Sequence, residues 1–408
     1  MRTVAFVTFG CKVNQYESQA LREQMGRRGF SEVEPDAGAD VYVVNSCTVT
    51  QSAFKDAERA VRTLHRRFPL AAITVTGCAA DSNRADFEGL PGVVRVVPHD
   101  EKSALPLYIG DPRLSPADLH LSIFDLSVSA FHGHTRAFLK VQDGCNLNCS
   151  FCIIPKVRGP SVSRDLDDCV DEARRLVGNG YREIVVTGVH VGSFKALPAL
   201  FARMMDIEGL GRARLSSLEA EELHDDLLDV MAGSAGRFCP HLHLPVQSGD
   251  DEILRAMRRR TNRSQFLRAV DRARARVPGI AISTDVIVGF PGETDAQFEN
   301  TLDLVRRCEM SRVHVFPYSR RAGTDAAAQP DLPEKLKKER LLALESLAAG
   351  IARRVAERFV GREVEVLVER GGQGYTGHYL RAKIDAPPGP LVRARVTGAV
   401  EGVLQCER

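Results

Sequence analysis

Short apolar runs rich in β-branched residues recur along this chain, and each is followed by a segment of helical length. In the first hundred residues the runs are Val4–Phe9, Val41–Asn45 and Ile73–Thr76, and the helical segments include Gln15–Arg28 and Ser52–Phe68. Strands that alternate with helices favour a parallel sheet covered by helices on both faces. The sequence therefore predicts an α/β fold that begins with a parallel-sheet domain over residues 1–100.

The same alternation resumes after residue 135. The predicted strands there are Ala137–Val141, Glu183–Thr187, Ala213–Ser217, His241–Leu244, Ile282–Val288 and Arg312–Phe316. Strand–helix units without a Gly-x-Gly-x-x-Gly phosphate loop indicate an open, barrel-like sheet that holds its chemistry at the carboxyl ends of its strands. We expect an open (β/α)6 partial barrel with a long exit helix over residues 136–360, and a connector at residues 101–135.

The last fifty residues have a different pattern. Residues Gly361–Val368 alternate between polar and apolar side chains, and Gly- and Pro-rich turns follow them. Short alternating strands separated by such turns are typical of small β-barrels, including many oligonucleotide-binding modules. Residues 361–408 are therefore predicted to form a C-terminal β-barrel.

Three cysteines, Cys145, Cys149 and Cys152, have C-x3-C-x2-C spacing directly after the predicted strand Ala137–Val141. Thiolates hold iron–sulfur clusters, and a four-iron cluster normally takes four of them. Three close cysteines would leave one iron open to another ligand. An open iron at a strand-end edge indicates a reaction centre rather than an electron carrier.

Zinc bound by these cysteines and a nearby histidine, His132 or His134, is the alternative. Zinc sites more often pair two C-x2-C or H-x3-5-H knuckles, which this sequence lacks. The spacing therefore favours an iron–sulfur cluster.

Three more cysteines, Cys11, Cys47 and Cys78, each follow one of the first three predicted strands. The carboxyl ends of parallel strands meet at one edge of a sheet, where open α/β sheets bind ligands. These cysteines can therefore converge although they are distant in sequence. A single free cysteine is usually a small buried hydrophobe, but three at equivalent strand ends predict a second metal site.

Polar and glycine residues at later strand ends are candidates for binding a small cofactor. Gly188, His190, Gly192 and Ser193 follow the second strand of the partial barrel, and the glycines permit close backbone approach. The candidates at later strand ends are Gln247, Ser248, Asp285 and Glu293. A tight turn or a helix cap is the alternative role for each of these residues.

Composition sets further limits. The formal net charge of +2 neither requires nor excludes a nucleic-acid partner. No apolar run approaches the roughly 20 residues that span a bilayer, and the N-terminus lacks the pattern of a signal peptide. Ten cysteines in a chain of 408 residues do not indicate a disulfide framework. We therefore expect no membrane association, and a cytoplasmic location.

Basic and aromatic residues mark two candidate RNA-binding surfaces. The segment Arg255–Arg276 contains nine arginines, which can neutralise phosphates or form a solvated helix face. Aromatics beside basic residues suit stacking on unpaired bases. In the predicted C-terminal barrel these are Tyr375, His378, Tyr379, Arg381 and Lys383.

With these residues in view, the chain resembles the radical S-adenosylmethionine methylthiotransferases over essentially its whole length. The three-cysteine run, with Phe151 before its last cysteine, matches the C-x3-C-x-aromatic-C signature of that superfamily. The cysteines at the first three strand ends match the ligands of the family's auxiliary cluster, and the C-terminal barrel looks like its RNA-binding TRAM domain. Four segments are similar to the subgroup that acts on threonylcarbamoyladenosine in tRNA: Gly10–Ser18, His241–Gly249, Ser283–Glu293 and Phe316–Thr324.

The resemblance implies a methylthio group inserted at carbon 2 of N6-threonylcarbamoyladenosine 37 in the anticodon loop of tRNA. It implies two 4Fe–4S clusters and S-adenosyl-L-methionine as cofactors. The cluster at Cys145, Cys149 and Cys152 would cleave adenosylmethionine to an adenosyl radical, and the auxiliary cluster would carry the transferred sulfur. It also implies a one-electron reductant such as flavodoxin or ferredoxin, whereas the oligomeric state stays unknown.

Alternative functions remain open at this point. The nearest is the sister enzyme for isopentenyl-adenosine in tRNA, and the next is the relative that modifies an aspartate of a ribosomal protein. From another class, the chain could be a non-catalytic iron–sulfur sensor that binds RNA. The strand-end motifs shared with radical enzymes argue against a sensor.

Overall fold

The structure is a computed structural model that describes residues 2–48, 50–111, 113–114, 122–131 and 133–408. His132, one of the alternative zinc ligands, lies outside the described residues. The chain forms two compact units. The first contains the residues up to Ala130 together with Asp143–Leu147 and Cys152–Arg164, and the second contains Phe131–Gln142, Asn148–Phe151 and Asp165–Arg408.

Strands and helices alternate through most of the described chain. The strands are β1 Thr3–Thr8, β2 Ser31–Glu32, β3 Val41–Ser46, β4 Ala72–Gly77, β5 Val93–Val96, β6 Arg136–Asp143, β7 Val162–Ser163, β8 Glu183–Gly188, β9 Arg212–Leu215, β10 His241–His243, β11 Ala281–Val288, β12 Arg312–Pro317, β13 Glu363–Glu369, β14 Gln373–Thr376, β15 Arg381–Ile384, β16 Leu391–Val400 and β17 Val403–Glu407. The α-helices are α1 Lys12–Arg27, α2 Gln51–Arg67, α3 Cys78–Ser82, α4 Arg84–Glu88, α5 Leu105–Gly110, α6 Ile154–Arg158, α7 Leu166–Gly178, α8 Leu197–Met205, α9 Asp225–Gly233, α10 Asp251–Ala256, α11 Arg263–Arg276, α12 Asp295–Cys308 and α13 Glu334–Glu357.

The first unit is built on a parallel sheet with the strand order β2-β1-β3-β4-β5. Its central strands are apolar along their length because helices cover both faces. Tyr42, Val44, Ile73 and Val75 are all fully buried in the core of this unit. The predicted parallel α/β sheet is therefore confirmed.

The second unit contains two groups of parallel strands. Strands β6, β8 and β9 pair in that order, and so do β10, β11 and β12. Backbone hydrogen bonds connect the two groups: the Leu218 amide donates to the His243 carbonyl, and the Ala213 amide donates to the Arg237 carbonyl. These six strands form the predicted partial barrel, and their carboxyl ends carry the candidate site.

The C-terminal strands close into a barrel in the order β13-β14-β15-β17-β16, as the alternating pattern predicts. Strand β9 of the same unit holds this barrel through two buried arginines. Arg212 donates to the carbonyl oxygens of Glu365 and Tyr375, and Arg214 donates to those of Thr376 and Gly377. No helix among the described residues is both long and apolar enough to cross a membrane.

Candidate active site

The structure places Cys11, Cys47 and Cys78 directly after three adjacent strands, β1, β3 and β4. Cys47 and Cys78 are buried, and Cys11 is exposed. Gly10 has a φ of +95°, and a Cβ atom there would lie 2.7 Å from the Cys47 Sγ. Only glycine fits this conformation and this close approach, so Gly10 lets the Cys11 turn pack against Cys47.

Asn14, one turn into α1, connects two of these strand ends. Its side-chain amide donates to the carbonyl oxygens of Phe9 and Ser46, each at 2.9 Å. Because Asn14 is completely buried, these hydrogen bonds are shielded from water. Asn14 therefore links the ends of β1 and β3 beside this cysteine set.

Arg158, at the end of α6, is a site residue that the sequence analysis missed. Its Nε donates to the Cys78 Sγ at 3.1 Å. Its terminal nitrogens donate to Glu17 at 2.9 Å and to Asp143 at 3.0 Å. Lys102 is a second buried cation on Glu17, so two cations balance two carboxylates here.

Burial and neighbouring charges shift the pKa values of Cys78 and Arg158 in opposite directions. Burial raises the pKa of the Cys78 thiol, whereas Arg158 lowers it by favouring the thiolate. Burial also disfavours the charged form of Arg158, but the thiol of Cys78 and the carboxylates of Glu17 and Asp143 raise its pKa well above the ordinary value. The guanidinium therefore stays charged beside Cys78.

In the first unit, backbone contacts hold the turn that carries Cys145. The Cys145 amide donates to the Gly159 carbonyl at 3.1 Å, and the Leu147 amide points at the Cys145 Sγ at 3.4 Å. Gly144 has a φ of +67°, and a Cβ there would overlap the Pro160 carbonyl. Cys152 lies two residues before the start of α6, the helix that ends at Arg158.

In the second unit, Cys149 lies beside Arg259. The guanidinium is 3.8 Å from the Cys149 Sγ, pairs with Glu219 and donates to the Pro245 carbonyl. Burial disfavours the charged form of Arg259, but Glu219 and Cys149 outweigh it and raise the pKa above the ordinary value. A buried cation therefore stands beside one thiol of each three-cysteine set.

This arrangement fits iron–sulfur clusters. Thiolate-ligated clusters carry negative charge, and nearby cations and hydrogen bonds to sulfur tune their stability and potential. Arg158 supplies a positive charge and an N–H donor beside Cys78, and Arg259 supplies them beside Cys149. The ligand role of the six cysteines stays a prediction from their spacing and placement.

The turn after β8 contains the first group of predicted cofactor contacts. The Gln142 side chain accepts the His190 amide at 2.7 Å and lies against Gly188, where a Cβ would be 3.0 Å from its Oε1. His190 Nε2 is 2.8 Å from Glu222, and the Ser193 hydroxyl donates to the His190 carbonyl. The carboxylate of Glu222 also lies directly against Gly192. Gln142 and Glu222 therefore shape this turn, and sequence reasoning identified neither of them.

Two of the remaining cofactor candidates, Glu293 and Ser248, make hydrogen bonds or ion pairs within the strand-end loops. Glu293 is buried, accepts the Gly289 amide at 2.7 Å and pairs with Arg340 at 2.8 Å. Ser248 is fully buried and accepts the amide of Asp250, the N-cap residue of α10. These two side chains hold the strand-end loops together, and their role as ligand contacts stays a prediction.

Gln247 has an unusual backbone conformation. Its φ is +73°, which costs energy for a residue with a side chain and is common at functional sites. Its amide donates to the Asp285 carbonyl, and the Ile287 amide donates to the Gln247 carbonyl. The Asp285 side chain lies 3.2 Å from His243 Nε2. Contact of Gln247 and Asp285 with a cofactor stays a prediction.

Most of the arginines between Arg255 and Arg276 make contacts within the fold. Arg258 pairs with Asp325 and Arg263 pairs with Asp303. Arg272 and Arg276 pair with Asp225, and Arg274 donates to the Cys308 carbonyl. These contacts partly neutralise the segment, which favours the alternative of a solvated helix face over an RNA-binding face.

The barrel aromatics also make internal contacts. The rings of Tyr375 and Tyr379 stack with centroids 4.8 Å apart, and the guanidinium of Arg136 lies over both. Arg214 lies over Tyr379 as well. This cluster joins the barrel to the core strands of its own unit, which leaves Arg381 and Lys383 as the exposed members of the predicted RNA-binding set.

A parallel partial barrel with three closely spaced cysteines before its first helix defines the class of radical S-adenosylmethionine proteins. A family model described as the Radical SAM superfamily matches residues 139–305, and one described as Uncharacterized protein family UPF0004 matches residues 3–98. A structure titled radical S-adenosylmethionine methyltransferase, TsrM, from Kitasatospora setae aligns with a TM-score of 0.63, covering 80% of this chain and 77% of that one. At 14% identity this likeness shows the fold alone.

Full-length relatives identify the family within that class. The chain is 38% identical to "Threonylcarbamoyladenosine tRNA methylthiotransferase MtaB" of Thermotoga maritima, over 100% of this chain and 97% of the relative. It is 36% identical to "tRNA-2-methylthio-N(6)-dimethylallyladenosine synthase" of Cereibacter sphaeroides, over 100% and 98%. The chain therefore belongs to the radical S-adenosylmethionine methylthiotransferase family, which confirms the resemblance noted in its sequence.

Proposed function

We propose that this protein inserts a methylthio group at carbon 2 of N6-threonylcarbamoyladenosine 37 in tRNA. The observation that carries the proposal is the pair of three-cysteine sets, Cys11/Cys47/Cys78 and Cys145/Cys149/Cys152, each with a buried guanidinium beside one thiol. Full-length relatives named for this substrate support it, at 34–39% identity.

We propose that the two sets hold 4Fe–4S clusters and that the cluster at Cys145, Cys149 and Cys152 binds S-adenosyl-L-methionine. When bound, these groups would supply one-electron carbon–sulfur cleavage and the sulfur for transfer. The chain's residues would orient and shield the reactants. Gly188, His190, Gly192 and Ser193 would border the methionine part, because Gln142 and Glu222 fix the conformation of that turn. Gln247, Ser248, Asp285 and Glu293 would border the nucleoside part.

The proposed partners follow from the substrate. The tRNA would approach with its anticodon loop, and the C-terminal barrel would contribute the exposed cations Arg381 and Lys383. A small one-electron donor of the flavodoxin or ferredoxin type would reduce the clusters. A tRNA substrate also implies the cytoplasm as the working compartment.

Paired cysteine variants test the two roles. With Cys149→Ala we expect adenosylmethionine cleavage to stop, because the set Cys145/Cys149/Cys152 loses a ligand. With Cys47→Ala we expect cleavage to continue while methylthio transfer stops. Both should hold about four irons after anaerobic reconstitution, against about eight for the unchanged protein.

The matched control is Cys169→Ala, since Cys169 is a buried residue of α7 outside both sets. Mass spectrometry of tRNA nucleosides from a deletion strain identifies the substrate. Loss of the methylthiolated threonylcarbamoyl nucleoside supports the proposal, and loss of the isopentenyl analogue assigns the sister activity instead. Methylthio transfer by both cysteine variants would contradict the role assignment.

A further inference from the structure

One face of the sheet formed by β10, β11 and β12 carries both polar and apolar side chains. Residues two apart on a strand share a face, and paired residues of parallel neighbours lie side by side. The register pairs His243 with Ser283, Asp285 with His314, and Ile287 with Phe316. Along the strand direction the face therefore changes from polar to apolar, with rows about 7 Å apart.

The polar rows form a connected group. His243 Nε2 lies 3.2 Å from the Asp285 carboxylate, and its Nδ1 lies 2.9 Å from the Ser283 hydroxyl. The rings of His243 and His314 meet edge to face with centroids 5.8 Å apart. The side chains of His243 and Asp285 keep 14% and 29% exposure, so this group borders open space rather than the packed core.

The apolar row shares a hydrophobic cluster with Phe151, which lies two residues after Cys149. Ile287 and Phe151 both pack against the buried side chains of Met257 and Phe290 and their neighbours. Phe316, beside Ile287, is 38% exposed, whereas the other exposed large hydrophobic residues of the described chain are leucines and valines. An exposed aromatic ring at a strand end is suited to pack against a nucleobase.

We propose that His314, supported by the His243–Asp285 pair, recognises the threonylcarbamoyl group of the substrate, while Phe316 packs against its adenine. This inference rests on the proposed function. The threonylcarbamoyl group offers a carboxylate, a hydroxyl and urea N–H groups. Imidazole N–H groups donate to carboxylates, and the Asp285 carboxylate orients the histidine row through its pair with His243.

The same geometry gives a basis for substrate choice. An isopentenyl group is apolar and offers His314 no hydrogen-bond acceptor, and a site that hydrogen-bonds a polar substrate group discriminates against an analogue that lacks it. With the base against Phe316, carbon 2 can face the Cys149 end of the site while the N6 substituent reaches the histidine row.

Two substitutions at one position test the proposal. His314→Leu removes the donor, and we expect kcat/KM for tRNA bearing threonylcarbamoyladenosine to fall about 10- to 100-fold. His314→Asn keeps a side-chain N–H, and we expect it to recover part of that loss. Discrimination against tRNA bearing isopentenyl-adenosine should fall with His314→Leu. The control is His224→Asn, because His224 is an exposed residue of the same unit.

The readouts separate this inference from the proposed function. Iron content and adenosylmethionine cleavage without tRNA should stay unchanged in both His314 variants, and binding of a threonylcarbamoylated anticodon stem-loop should weaken. Unchanged kcat/KM for His314→Leu would overturn the inference, as would loss of a metal ion beyond the eight irons, which would make the group a metal site. If the unchanged protein fails to modify the threonylcarbamoyl substrate, the proposed function itself is wrong.

Discussion

The guanidinium of Arg158 is hydrogen-bonded to a predicted cluster ligand and to two buried carboxylates. Its side chain is 1% exposed, and so little water reaches these contacts. A planar guanidinium can serve three acceptors at once, whereas an ammonium cannot reproduce that geometry. We therefore expect Arg158 to have both a structural and an electronic role at the set Cys11/Cys47/Cys78.

Substitution of Arg158 should separate these roles. With Arg158→Gln we expect about 3–5 kcal/mol loss of stability, because Glu17 and Asp143 lose a buried cation. With Arg158→Lys we expect a smaller loss and a lower reduction potential for the cluster at Cys78, which loses the Nε hydrogen bond. Thermal unfolding and redox titration by electron paramagnetic resonance measure the two effects.

Arg62→Gln is the matched control, since Arg62 makes an exposed pair with Glu58 and should contribute less than about 1 kcal/mol. An Arg158→Lys protein with the unchanged potential would show that the hydrogen bond to Cys78 has no electronic effect.

The sequence could reveal the six cysteines but not their neighbours. Cysteine spacing and strand-end position are local signals, so they can be recognised along the chain. Arg158 and Arg259 contact cysteines that are 80 and 110 residues away, and no local pattern indicates such a contact. The chain is also rich in arginine, and this abundance conceals the few residues that face a thiol.

At the scale of elements, the alternation of strands and helices was predictable, and their ends were less so. Helix α11 begins at Arg263, because Asn262 and Gln265 form a capping box. Helix α1 begins at Lys12, because Cys11 itself is the N-cap residue. The core strands agree within two residues, since burial on both faces makes them continuous apolar runs.

The barrel carries a partly buried histidine whose titration should be measurable. Burial, with the positive charges of Arg214, Arg212 and Arg362, lowers the pKa of His378 from its ordinary value to about 4. Above pH 6.5 the imidazole is neutral in both folded and unfolded chains, so it has no effect on stability there. As the pH falls from 6.5 to 4, only the unfolded chain takes up the proton, and stability falls by up to about 3 kcal/mol.

His378→Gln should remove this dependence. We expect the barrel of the variant to lose less stability between pH 6.5 and pH 4 than the unchanged protein does, as measured by hydrogen exchange of β13–β17. The exposed control His224→Gln should behave like the unchanged protein. Parallel loss of barrel stability in the variant and the unchanged protein would contradict this assignment.

At the scale of the whole molecule, the net charge is only +2, so general attraction to RNA is weak. The affinity for tRNA must therefore come from local cations without a neighbouring carboxylate. On β16, Arg393 and Arg395 lie opposite Glu365 and Glu363 of β13. This pairing partly neutralises the two arginines and so weakens their attraction to a phosphate.

Strand β15 has a different surface. Arg381 and Lys383 are exposed and lie opposite Tyr375 and Gln373 of β14, with Gln405 of β17 on the other side. Among these pairings no carboxylate stands opposite either cation, so both can neutralise phosphates. Each contact with single-stranded RNA contributes about 0.7 to the dependence of log affinity on log salt concentration.

Replacing both cations should therefore change the salt dependence of tRNA binding as well as the affinity. For Arg381→Gln with Lys383→Gln we expect weaker binding and a slope smaller in magnitude by about 1.4, measured by titration at several salt concentrations. The matched control is Arg393→Gln with Arg395→Gln, which should change the slope much less because Glu365 and Glu363 already face those arginines. Equal slopes for the β15 variant and the unchanged protein would show that tRNA binds elsewhere, whereas a reduced slope with unchanged adenosylmethionine cleavage would assign this face of the barrel to tRNA.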